Sequence, residues 1–178
     1  MDFKELVKIR QSNRAYHDRA VEKEKVELCL EAGRLSPSAN NSQGWTFVAV
    51  ADAELKARFA ESAYRLGGSF VGQAPVIIAL VAEKPLLISK FGSALRKIDF
   101  ASLDIGIAAA HICLQAADLG LGTCMLESFD EKSVKALLNI PDNRRVALII
   151  TLGYPADIQR EKRRKRFDEV VRWDKYGK

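Results

Sequence analysis

The run Val76-Ile77-Ile78-Ala79-Leu80-Val81 carries no polar side chain and is bounded by Pro75. A half-exposed strand alternates apolar and polar positions, so an unbroken β-branched and apolar run predicts a strand buried on both faces. Such a strand belongs at the centre of a sheet. Trp45 to Ala51 and Val146 to Leu152 predict further strands, the second ending at Gly153-Tyr154-Pro155. With 178 residues and 48% hydrophobic content, the chain is expected to form one domain, residues 1–178, with a core that needs no staples.

Helical spacing fills the intervals. Asp2 and Glu5 form a capping-box-like start to a short helix through Phe3, Leu6 and Val7, ending near Arg10 to Ser12. Val21 to Leu35 gathers Val26, Cys29, Leu30 and Gly33 on one stripe, and Ala53 to Leu66 gathers Leu55, Phe59 and Ala63. Phe100 to Leu119 is a long helix dense in small apolar residues, with Asp104, His111, Gln115 and Asp118 along one side. Gly106, Ala108, Ala109 and Ala110 permit close approach of another helix, within a core or across a dimer seam. Glu131 to Leu138 predicts one more helix. Gly67 to Gly72 reads as a connection, and Lys84 to Ile98 as a surface segment or a cover over a pocket.

The stretch Arg34 to Trp45 joins a helix to a strand and is too rich in backbone-bonding side chains to be an idle connector. Pro37 fixes one backbone angle, Gly44 frees another, and Ser36, Ser38, Asn40, Asn41 and Ser42 can each bond nearby main chain. A stiff loop presenting amides and hydroxyls suits a flat heteroaromatic ligand, although a purely structural loop has the same composition.

Charge is concentrated. Lys162 to Arg166 supplies five positive charges, equal to the whole net charge of +5. One compact basic cluster suits one compact anion; a nucleic-acid binder would spread basic surface and interleave aromatics. Arg10, Ser12 and Arg14 offer a second set of forks and a hydroxyl suited to phosphate or carbonyl oxygens. Cys29, Cys113 and Cys124 are odd in number and widely spaced, so buried free thiols are expected, not a disulfide framework. His17 and His111 belong to no metal-ligand cluster, and no metal is expected. The charged N-terminus and the lack of a long unbroken apolar run predict a cytoplasmic protein with no membrane partner.

Pro37-Ser38-Ala39-x-Asn41-Ser42-Gln43-x-Trp45 resembles the signature loop of the nitroreductase family of flavin mononucleotide (FMN) dependent oxidoreductases, with Gly44 where the family usually has Pro. Ile9 to Tyr16 resembles the family's opening Arg-Arg-Ser-x-Arg-x-Phe element, with Gln11 replacing the second Arg. Leu119 to Phe129 resembles its flavin-edge segment, and the tail resembles its Lys-x-Arg phosphate element.

The resemblance implies an α+β fold in which helices flank a mixed central sheet, and an intertwined homodimer with two FMN sites at the subunit interface. It implies that Arg10, Ser12, Lys162 and Arg164 meet the phosphate and ribityl chain, with Gln11 among them, and that Arg14 faces the pyrimidine edge. It places Pro37, Ser38, Ala39 and Asn41 near the ring, and Leu126, Glu127 and Ser128 along its edge. The tail, residues 156–178, would pack on the partner subunit. The implied activity is ping-pong: NADH or NADPH reduces FMN, which passes electrons to a small acceptor such as a nitroaromatic or quinone. No side chain is implicated as a catalytic nucleophile or acid–base pair. A flavin-binding module without turnover would carry the same motifs, and a basic nucleic-acid-binding protein would explain the tail alone. No family role attaches to Arg163, Lys165 or Arg166.

Overall fold

The computed structural model describes residues 1–63, 70–83 and 100–177. The expected cover segment Lys84 to Ile98, the end of the helix expected to reach Leu66, and Gly67 to Ser69 lie outside the described residues. The elements, in order, are α1 (Phe3–Ile9), α2 (Lys23–Arg34), β1 (Trp45–Val50), α3 (Ala53–Ala63), β2 (Val76–Ala82), α4 (Phe100–Asp118), β3 (Gly122–Leu126), α5 (Glu131–Leu137), β4 (Arg145–Gly153) and α6 (Phe167–Val170). Single 3₁₀ turns occupy Ala39–Asn41 and Val71–Gln73.

The apolar run forms β2, an inner strand of a sheet ordered β1-β2-β4-β3. Its alternate residues serve two cores. Val76, Ile78 and Leu80 pack beneath α2 and α4, against Cys29, Ile105, Ala109 and Ile112. Ile77, Ala79 and Val81 pack on the other face with Phe59, Val71 and Val134. None of these six strand residues is more than 3% exposed, and each larger side chain contributes about 1.5–3 kcal/mol by leaving water.

The expected mixed sheet is not what the described strands form. All three pairings are antiparallel, because β4 inserts between β2 and β3 and runs opposite to both. The parallel pairing seen is an isolated bridge between Ser12 and Thr123. The expected capping box is also missing from α1: Asp2 makes no side-chain cap, and Glu5 pairs with Lys8 at 2.9 Å.

Where α2 meets α4, a side chain at Gly33 would strike Ile112 Cγ1 at 2.7 Å, so the close approach of these two helices depends on this glycine. An 18-residue window of α4 reaches a mean hydropathy of 1.4, enough by length and composition to cross a membrane. Its inner side, including Ile105, Ala108, Ala109, Ile112, Cys113 and Ala116, is instead packed in the core. Its outer side, Leu103, Gly106, Ile107, Ala110 and His111, is exposed. All three cysteines are free and buried.

Candidate functional site

Beyond β1 and β3, the two edges of the sheet, lie the two stretches singled out in the sequence. At the β3 edge, the chain after α1 is zipped to β3 and to the chain after β4. Asn13 N donates to Thr123 O at 2.8 Å, His17 N to Tyr154 O at 2.9 Å, and Ala156 N to Ala15 O at 2.9 Å. Asp157 cross-links them, accepting from Asn13 Nδ2 at 2.6 Å and from Arg14 N at 3.1 Å. Burial alone would raise the Asp157 carboxyl, but these bonds and the nearby Arg160 outweigh it and hold it below the usual range. Gln11, which stands in place of an arginine, clamps the tail: its Nε2 donates to Ile158 O at 3.0 Å, and its Oε1 accepts from Arg160 N at 2.9 Å. Arg160 also donates to Ser12 O.

This zipper brings Arg10, Gln11, Ser12 and Arg14 against Ile158 to Arg164 around a cleft of about 680 Å³. Lys162 and Arg164 thus meet Arg10 across some 150 residues of sequence. The Lys162 ammonium is pushed below its ordinary value, first by burial and then by Arg164 and Arg10. Among the described residues, no carboxylate pairs with Arg10, Arg14, Lys162, Arg163 or Arg164. Arg166 does have an acid partner: it pairs with Asp168 at 2.8 Å in the first turn of α6, while Lys165 is exposed. Beneath the cleft, burial pushes the Cys124 thiol up, opposed by Arg14, a hydrogen bond from Ser12, and Arg10. Leu126, at the end of β3, is half-buried, and Glu127 and Ser128 just beyond it are exposed.

The signature stretch enters β1 at the opposite edge. Its left-handed positions fall at Asn40 (φ 55°), Asn41 (φ 52°) and Gln43 (φ 46°), not at Gly44. Asparagine tolerates that region better than most residues, and Ser38 Oγ closes the loop by accepting from Gln43 N at 2.9 Å. Pro37 and Asn41 are exposed, while Ser38 and Ala39 are half-buried. Asp104 of α4 accepts from Ala39 N at 3.0 and 3.2 Å through its two oxygens, and from Ser42 Oγ at 3.3 Å. Within one chain the loop does not line the basic cleft. Asp104 lies near the start of α4, and Ala117, near its end, lines a smaller adjoining cavity with Arg10. The intervening helix spans about 20 Å.

Sequence reasoning gave no role to Asp104, Asn13, Asp157 or Arg160. An acid in an otherwise apolar helix was a visible signal for Asp104. The pairing of Asn13 with Asp157 joins residues distant in sequence and carried no local signal.

Fold and cleft together define an α+β protein with a cation-lined cleft at the edge of an antiparallel sheet. The chain belongs to the nitroreductase family, whose model matches residues 7–67 and 63–154, and is an enzyme of that family. A protein of Archaeoglobus fulgidus provisionally named NADH dehydrogenase/NAD(P)H nitroreductase is 32% identical over 156 residues, covering 85% of this chain and 84% of its own. The structure of an FMN-dependent nitroreductase from Clostridium difficile R20291 superposes with a TM-score of 0.81 at 29% identity, covering 96% of this chain and 98% of that one. A nitroreductase family protein from Streptococcus pneumoniae TIGR4 gives 0.83 at 27% identity, covering 97% and 100%. Lys162 and Arg164 lie beyond the segments that the family model matches.

Proposed function

We propose that the protein is an FMN-dependent oxidoreductase that uses NADH or NADPH to reduce a small acceptor such as a nitroaromatic or quinone. The observation that carries this reading is the cleft. Arg10, Ser12, Lys162 and Arg164 converge on it, the three cations make no ion pair with a carboxylate among the described residues, and Lys162 holds its proton less tightly than an ordinary lysine. A phosphate dianion fits that donor set, because it restores the charge balance that the protein leaves open. The chemistry supplied by bound flavin is hydride acceptance from the nicotinamide and onward transfer to the acceptor in a ping-pong sequence. The chain's own task is to bind and orient: Arg10, Lys162 and Arg164 hold the phosphate, Gln11 keeps the tail in place, and Arg14 favours negative charge at the pyrimidine edge. Leu126, Glu127 and Ser128 offer main chain along the ring edge.

The site is shared between two chains. An antiparallel pairing of α4 across a two-fold axis sets the loop end of one helix beside the cleft end of the other, so Pro37, Ser38, Ala39 and Asn41 serve the partner's flavin. Leu103 (55% exposed) and Ile107 (37%) on α4, and Phe167 (70%) and Trp173 (79%) on the tail, are the apolar surface that such a homodimer would cover.

An absorption spectrum of the purified protein, before and after each nicotinamide, tests the reading. A flavin band bleached by NADH or NADPH and restored by an acceptor is expected. A protein that binds no FMN when reconstituted would overturn it, and a band that neither nicotinamide bleaches would leave a binding module.

A further inference from the structure

Among the described residues, Asp104 is the one carboxylate, lysine or arginine that is buried, at 5% exposure. An ionised carboxylate is costly to bury unless hydrogen bonds replace its water. Here the replacements come from the signature loop: Ala39 N reaches both oxygens, and Ser42 Oγ reaches one. These anchors bracket Asn40 and Asn41, two of the loop's three non-glycine residues with positive φ. A conformation of that kind persists only where its surroundings over-determine it. Leu103 and Ile107, within a turn of Asp104 on α4, are exposed on the helix's outer side.

We propose that Asp104 is a positioning residue for the flavin ring bound by the partner subunit, acting through the main chain of Ala39 and the hydroxyl of Ser42. The proposal rests on the shared-site reading above. Asp104 holds the loop in the shape that receives the ring, and its seat on α4 ties that shape to the docking of the two subunits. Because it acts at the ring end, its loss weakens riboflavin and FMN alike, unlike the loss of a phosphate contact.

The test compares Asp104→Ala, Asp104→Asn and Ser42→Ala as dimers. Asp104→Ala is expected to raise the dissociation constants of both FMN and riboflavin by about tenfold or more. Asp104→Asn keeps one acceptor for Ala39 N and is expected to fall between Ala and the parent; Ser42→Ala, which spares the carboxylate, provides the same readout if Asp104→Ala fails to fold. The decisive arm mixes an Asp104 variant with Arg10→Ala under confirmed subunit exchange. Acting across the seam, the two lesions fall together in one site of the heterodimer, and the other site regains flavin and turnover. Recovery with Ala39→Trp plus Arg10→Ala but not with Asp104→Ala plus Arg10→Ala overturns the role of Asp104 alone. Failure of both pairs overturns the shared site itself. Selective loss of FMN with riboflavin unchanged would also overturn the proposal.

Discussion

Replacing Lys162 with Met separates ligand binding from folding, because the two should move in opposite directions. Methionine keeps much of the apolar stem and removes the charge. That charge is partly buried and lies beside Arg164 and Arg10, which is why its proton is loosened. A lysine whose folded pKa lies below its unfolded one opposes folding at neutral pH, and the penalty fades as pH rises. Lys162→Met should therefore leave the apoprotein's Tm unchanged or slightly higher. On the proposed reading the same charge would face the phosphate of bound FMN, and a charge-assisted hydrogen bond is worth roughly 1.5–3 kcal/mol. At 1.4 kcal/mol per decade, the FMN dissociation constant should rise by roughly ten- to a hundredfold. Fluorescence titration of the apoprotein measures it, with riboflavin as the control that lacks the phosphate. In the parent, FMN affinity should also fall as pH rises through the lowered lysine value, while riboflavin stays flat. Equal losses for the two flavins, or a clear fall in apoprotein Tm, would refute the reasoning.

If the proposed homodimer forms through α4, Leu103→Glu with Ile107→Glu should leave a monomer that loses flavin, because it places charge in a seam expected to exceed about 2,000 Å²; light scattering at micromolar concentration measures the mass. Asp157→Ala should destabilise the union of the tail with residues 11–15 by about 1–3 kcal/mol, seen as faster amide exchange at Arg14 and Arg160. Since the Asp157 carboxyl is held below its usual value, its contribution is complete above the unfolded value of about 3.9 and is lost as pH falls through the folded one. The parent should thus lose that exchange protection in acid, whereas the variant should lack it throughout.

Local sequence pattern was sufficient wherever one side chain's surroundings follow from its neighbours along the chain. The run at Val76 had to lie between two apolar layers because no residue in it can meet water, and β2 does. The stripe Val26, Cys29 and Gly33 on α2 is buried for the same reason. In the signature stretch, Ser36 and Ser38 bond nearby main chain as their side chains suggested, through Gly33 O and Gln43 N. Strand direction was a different matter: β4 enters between β2 and β3, a choice made by long-range pairing that leaves no trace in periodicity. Tertiary structure alone revealed that Gln11 is a clamp on the tail, that Asp157 fastens Asn13 and Arg14, and that a buried acid on α4 holds the loop. It also decided that the left-handed angles fall on Asn40, Asn41 and Gln43 and not on Gly44, since Ser38 closes the loop from within and Asp104 holds its main chain from a distant helix. Composition and local spacing record what a residue can bond; which partner it meets depends on closure of the chain over long sequence separations, and only the folded sheet supplies that.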